Sequence, residues 1–192
     1  PDINEGPDPE VPYFDGPRTY VKIAPGSKGP LFSSHNHVPG FTACPNGDLL
    51  AIWYTTTTEP ARELAVAVSR LRYGQSEWDD ASPFWDAPDR NDHCPALWTD
   101  ESGRIYQFNG LAEAATWGAM ALIMRTSTDN GVTWSKATII APNHTKDHMP
   151  IEAIFRASDG SIVLPCDKNP GSHVFLSRDN GQTWIRMGGK IY

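Results

Sequence analysis

The sequence predicts an all-β protein assembled from repeated four-stranded units. Three observations carry this: turn-forming residues throughout, a histidine-containing opening that recurs at near-constant spacing, and a tryptophan-closed turn that recurs with it. The chain has 192 residues, of which 39% are hydrophobic, enough to bury a core. Its 16 Gly and 17 Pro are spread along the length, which implies short elements joined by many turns and argues against a helical bundle. With 16 Lys and Arg against 23 Asp and Glu the net charge is −7, which excludes the basic footprint of a nucleic-acid binder. No apolar run approaches the roughly 18 residues needed to cross a bilayer, so no membrane partner is expected. The start, PDINEGPDPEVP, has neither a basic nor an apolar stretch, so any export signal is expected to be absent or already removed. Cys44, Cys94 and Cys166 are too few and too scattered for a disulfide framework, and Cys94 and Cys166 read as small buried hydrophobes.

The units can be followed in order. Asn36-His37-Val38-Pro39, Asp92-His93-Cys94-Pro95 and Asp147-His148-Met149-Pro150 place histidines 56 and then 55 residues apart. Each opening runs to a glycine turn (Asn46-Gly47-Asp48, Ser102-Gly103-Arg104, Asp159-Gly160-Ser161) and then to an apolar second strand: Leu49 to Tyr54, Ile105 to Phe108, Ile162 to Leu164. Asp48, Arg104 and Asp159 in those turns are expected to be solvated. A third apolar stretch follows after a variable segment, at Leu64 to Val68, Ala119 to Met124 and Val174 to Leu176. Glu59 to Arg72 and Leu111 to Arg125 have the composition of helices, but their register with the short third repeat assigns each to a loop and then a strand. The closing turn is the most specific motif. Ser127-Thr128-Asp129-Asn130-Gly131-Val132-Thr133-Trp134 and Ser177-Arg178-Asp179-Asn180-Gly181-Gln182-Thr183-Trp184 share Ser, Asp, Asn, Gly, Thr and Trp in register. Its Asp is expected to accept turn amides, its Asn-Gly to supply positive φ, and its Trp to cover the turn. The first unit carries a degenerate copy, Ser69 to Trp78.

That S-x-D-x-G-x-x-W turn, closing four-stranded units over residues 31 to 184, resembles the Asp-box, or BNR repeat, of the sialidase-like (neuraminidase) superfamily. The resemblance implies a β-propeller of about three blades in this chain, with a full ring of about six or seven. On this reading residues 1–18 form an N-terminal extended segment and residues 19–192 a partial propeller, with blades at about 33–88, 89–144 and 145–192. The remaining blades would come from the same polypeptide or another chain, and residues 19 to 32 would supply an outer strand of a closing blade. Family sialidases carry an Arg-Ile-Pro where this chain has His37-Val38-Pro39, so the arginine that clamps sialate is missing at this position. Ser34-His35-Asn36-His37 with Asp89-Arg90-Asn91-Asp92-His93 is more similar to propellers acting beside uronic acids, such as ulvan lyases and rhamnosyl-glucuronate lyases and hydrolases. The resemblance implies a secreted or periplasmic protein and an acidic oligo- or polysaccharide as partner.

If the repeats superpose, His37, His93 and His148 point toward one axial opening. The ends of the second strands add Trp53, Tyr54, Asn109, Asp167 and Lys168, with His35 just before the first opening. The loops beyond bring Glu59, Arg62, Glu63, Glu113, Trp117 and His173. β-Elimination beside a uronate needs the carboxylate neutralised, the C5 proton removed and the leaving oxygen protonated, work that histidine and tyrosine do near neutral pH. His93 or His37 is then the base, Tyr54 the acid, and Arg62 or Lys168 the carboxylate partner, with His148 the third axial member and His35, Asn109, Asp167 and Trp53 contacting substrate. A hydrolase would draw instead on Glu152, Asp92, Asp147 or Asp167. Three further readings stay open: the histidines cap inner strands by bonding backbone; no cofactor is required, but the three converge on a zinc or calcium ion in the axial channel; or the propeller binds a glycan or protein without chemistry. Trp53 and Trp117 are the candidates for stacking on a sugar.

Overall fold

The computed structural model describes residues 16–167 and 171–188. Lys168, most of the expected N-terminal segment and the last four residues lie outside the described residues. Three antiparallel sheets follow one another along the chain, with no α-helix among the described residues. The first blade is β1 (His35–Ala43), β2 (Leu49–Thr56), β3 (Ala65–Leu71) and β4 (Ser82–Trp85), hydrogen-bonded in that order. The second repeats the order with β5 (Asp92–Thr99), β6 (Ile105–Ala112), β7 (Met120–Ser127) and β8 (Thr138–Thr145). In the third the inner strand is split into β9 (Met149–Pro150) and β10 (Phe155–Arg156), both pairing β11 (Ile162–Asp167). Beyond β11 lie β12 (His173–Ser177) and β13 (Ile185–Arg186). The two helix-like stretches do resolve into loops and strands: β3 and β7 pair residue for residue with β2 and β6. Burial on both faces of a central strand outweighs the weak helical preference of Ala, Leu and Met.

The blades meet along apolar seams. Leu50, Ile52 and Val66 of the first pack on Leu97 and Ile105 of the second. Tyr106, Phe108 and Leu122 of the second pack on Ile162, Leu164 and Phe175 of the third. Trp53, Tyr106, Phe108, Leu122 and Leu164 are among the side chains that are essentially inaccessible to water, and burial of an apolar side chain of this kind contributes about 1.5–3 kcal/mol.

The closing turns work as their sequence predicts and also bind the seams. Asp129 Oδ1 accepts the Thr133 amide at 2.9 Å and the Ser127 hydroxyl at 2.7 Å, and Asp179 repeats both contacts. The Thr133 and Thr183 hydroxyls, bonded to the other carboxylate oxygens, together with these donors hold both carboxyls down at about 2. Asn130 and Asn180 take φ of 61° and 55°, the left-handed backbone that Asn tolerates. Trp134 and Trp184 donate Nε1–H to Gly131 and Gly181 carbonyls while their rings lie against the preceding blade, edge-on to Phe84 and Phe108.

Two expectations are corrected. Asp48 is not solvated: it is 7% exposed, paired with Arg70 at 2.9 Å and capped by the Tyr73 amide, because Arg70 reaches down from β3 to the turn. Residues 19 to 32 form no strand. Pro25-Gly26 makes a turn and Pro30–Phe32 a 3₁₀ turn, while Tyr20, Val21 and Phe32 cover Trp53 and Ala67 on the outer face of the first blade. Beside this cover a groove of about 330 Å³ is walled by Pro39, Phe41, Leu49 and Trp78. On the third blade Phe155 and Ile185 are more than half exposed. Both end blades thus leave apolar surface uncovered.

Candidate active site at the mouth of the first two blades

The first two His-x-Pro openings are β-bulges. β1 pairs His37 with Tyr54 and then Gly40 with Ile52, so one residue is extra; β5 does the same between His93 and Ala96. The extra residues, Val38 and Cys94, both sit at φ 50°, a strained conformation for a side chain and an outlier for a β-branched one. Pro39 and Pro95 follow, lacking the N–H that a regular ladder would need. Beside the bulges the rings of His37 and His93 both pack on Tyr54, with centroids 5.6 and 5.1 Å from its ring.

Strand alternation then sorts the neighbours. His35 and His37 share a face of β1 with Tyr54, directly opposite on β2, whereas Asn36 and Trp53 occupy the other. His37 Nδ1 lies 2.8 Å from Tyr54 Oη. Tyr54 stacks near His35 with ring centroids 6.2 Å apart, and the His93 ring lies 5.1 Å from it, tilted by 32°. His93 Nδ1 is 2.7 Å from Cys94 Sγ, and its Nε2 is 3.8 Å from Glu59 Oε1. Glu59, in the β2–β3 loop, is exposed and borders a cleft of about 210 Å³ with Pro60 and Trp117. Lys146 Nζ sits 4.9 Å from the centre of the Trp117 ring.

Accessibility separates the roles. His37 is exposed, whereas Tyr54 has no surface in contact with water and His93 is 4% exposed. Burial raises the Tyr54 hydroxyl far above its usual value, assisted by the charge of Glu59, and so keeps it protonated. Burial lowers His93 to about 4 against the pull of Glu59, so its ring is neutral at neutral pH. The Cys94 thiol is raised by burial to about 12 and carries no nucleophilic thiolate.

Other candidates lie elsewhere. Trp53 is buried beneath the N-terminal cover and donates Nε1–H to Asn36 at 2.9 Å, so it offers no stacking face. Asn109 is inside the seam, bonded to Gln107 and Asp92. Asp92 holds the β4–β5 connection by accepting Trp85 Nε1 at 2.7 Å and the Ala87 amide at 2.8 Å; burial nevertheless lifts its carboxyl to about 7. His148 has no bulge: it is buried and donates Nδ1–H to the Met120 carbonyl at 2.9 Å, the strand-capping alternative realised. His173 packs beside it with Phe175. Asp147 pairs with Arg186 at 3.1 Å, and Asp167 ends β11 exposed, 3.4 Å from Ser172 Oγ. Arg62 is exposed at the mouth and ion-paired with Asp89. The three axial histidines do not form one ligand set. Among the described residues the group able to hold a metal is His35, His37 and Glu59.

Glu152 was foreseen as a carboxylate but not its place. It lies four residues past His148, as Phe41 and Leu97 lie four past His37 and His93, and its two oxygens accept those two amides at 2.9 and 2.8 Å. It thus ties all three inner strands near the axis, and burial lifts its carboxyl to about 7.

A propeller sector of four-stranded blades closed by Asp-box turns has the sialidase-like fold. The model of the BNR repeat-like domain matches residues 47–190, and the chain belongs to that family. Solved structures share the fold at low identity. The NanB sialidase of Streptococcus pneumoniae superposes with a TM-score of 0.71 at 9% identity, over 91% of this chain and 47% of that one. The intramolecular trans-sialidase of Ruminococcus gnavus gives 0.67 at 11%, over 83% and 61%, and the sialidase of Trypanosoma rangeli 0.62 at 14%, over 82% and 31%. The chain therefore spans about half the length of the NanB structure it resembles. No protein with a curated description matches the sequence.

Proposed function

We propose that this chain is the site-bearing sector of a carbohydrate-active enzyme that cleaves an acidic, uronate-containing glycan by β-elimination, with His37 as the proton-transfer group. The observation that carries the reading is an exposed imidazole beside a strained bulge residue, held through Nδ1 by a fully buried tyrosine. With Nδ1–H donated to Tyr54 Oη, Nε2 presents its lone pair to the mouth. It takes the C5 proton, the freed electron pair forms the C4–C5 double bond, the C4–O bond breaks, and the imidazolium returns the proton to the departing oxygen. Tyr54 is then a positioning residue rather than the acid. Arg62, exposed beside the mouth, supplies positive charge for the carboxylate, and Trp117 a face for a sugar ring.

One observation favours a second reading in the same cleft. Glu59 is an exposed carboxylate next to His93, and a glycoside hydrolase would use it with water. The structural neighbours are named as sialidases and trans-sialidase, which supports a glycan as ligand. The uncovered apolar faces of the end blades support completion of the ring by further blades, from the same polypeptide or another chain, and a secreted or periplasmic setting accords with a polysaccharide substrate.

Mass analysis of products from uronate-containing and sialylated glycans, using the complete protein, decides between them. Fragments without added water and absorbing as unsaturated uronates are expected. Fragments that each gain one water move the chemistry to Glu59, and no cleavage of any glycan leaves a binding propeller.

A further inference from the structure

We propose that His35, His37 and Glu59 form a binding site for a zinc-type divalent cation at the mouth of the first blade. Each residue can offer one ligand atom, and the three atoms lie within 4.8 Å of one another. Two imidazoles and a carboxylate are a donor set that zinc favours, with a fourth position open to water or a ligand. Ligands at zinc bond lengths stand about 3.4 Å apart, a contraction within reach of the exposed His37 and Glu59 side chains.

Two further observations point the same way. His35 Nε2 is buried without a hydrogen-bond partner, an unsatisfied state that a metal bond would resolve. The other nitrogen of a metal-bound histidine ordinarily donates to an acceptor that fixes its orientation. His37 already has that arrangement, with Nδ1 at 2.8 Å from Tyr54 Oη and Nε2 directed away. Tyr54 is fully buried and packs on His35 and His93, so the ring of His37 is aimed before any ion arrives. His93 borders the site through Glu59, its Nε2 3.8 Å from Oε1, while its Nδ1 faces Cys94; His148 is committed to the Met120 carbonyl. An ion here takes the His37 Nε2 lone pair, so on the proton-transfer reading above zinc acts as an inhibitor that a chelator relieves. This second half rests on that reading; the binding does not.

The test is calorimetric titration of chelator-treated chain with zinc chloride, alongside His35→Ala, Glu59→Gln and Tyr54→Phe. One equivalent is expected to bind the unaltered chain. Loss of a direct ligand in the first two variants is expected to weaken binding at least about 100-fold, and loss of the orienting oxygen in Tyr54→Phe about 10-fold. Absence of saturable binding, or the same affinity in Glu59→Gln, overturns the proposal. Glu59 is exposed, so that variant stays informative if His35→Ala fails to fold, as circular dichroism would show. Zinc binding without effect on glycan cleavage would keep the site and reject His37 as the proton-transfer group, so the two claims fail separately.

Discussion

The openings of the first two blades and that of the third are near-copies in sequence and differ in kind as structures. At His37 and His93 the inner strand bulges, one residue is forced to φ 50°, and the imidazole packs against Tyr54. At His148 the strand has no such residue, and the imidazole is spent on a backbone carbonyl. The same residue type is exposed and backed by a tyrosine in one place and is a buried strut in another. On the proposed reading the strain at the first opening accompanies the one of these three histidines that meets solvent.

The largest effect that would break this comparison is on activity. His37→Ala is expected to lower glycan cleavage by about 10²–10⁴-fold with an unchanged melting temperature, since the side chain is exposed and general acid–base groups contribute on that scale. Kinetics and thermal melts on the same preparation check it, and a variant that keeps full activity would remove His37 from the chemistry. His148→Ala is expected to do the reverse. It strands the buried Met120 carbonyl at about 1–3 kcal/mol, read as a lower denaturation midpoint.

Next comes a pH effect centred on Glu152. Its folded-state carboxyl is raised to about 7, above the value in an unfolded chain, so its contribution to stability is complete below the unfolded value and is lost as pH rises through about 7. Asp92, likewise raised to about 7, acts in the same direction. Melting temperature should therefore fall between about pH 4 and pH 7.5, and less steeply in Glu152→Gln. Equal slopes in both proteins would show that Glu152 is ionised throughout and that the Phe41 and Leu97 amides hold it so. The smallest effect concerns the bulge itself. Val38→Gly relieves a positive φ but loosens the unfolded chain, so it should be neutral within about 0.5 kcal/mol, whereas Met149→Gly, with no strain to relieve, should destabilise by about 1 kcal/mol. Denaturant titrations that gave equal losses would mean that the bulge is unstrained.

Much of this was legible in the chain. The Asp-box hydrogen bonds follow from Ser, Asp, Asn, Gly and Thr at fixed offsets, because such turns are local. That His37 and Tyr54 would lie at one mouth followed from repeat register, whereas their hydrogen bond is seen only in the structure. Strand alternation also forbids Trp53 and Tyr54 from sharing a face, a rule available in the sequence that naming both as site residues overlooked. Asn109 and Asp92 were less accessible to reasoning: polar residues near a mouth read as ligands for substrate until the seam that buries them is seen. The difference between His93 and His148 could not be read at all, since each is followed by one residue and then proline.

What the amino acids alone specify here is periodic and local: an all-β repeat, turns closed by tryptophan, and strands where composition suggested helices. Those rest on interactions spanning a few residues or on alternation along one strand. Which histidine meets solvent, which carboxylate crosses to two other inner strands, and which tryptophan lies under the N-terminal cover were decided only when the blades packed. Each depends on contacts between residues up to 111 positions apart, such as Glu152 with Phe41. Burial, which decides whether an ionisable group is a strut or a reagent, belongs to the packed blades and not to any segment of the chain.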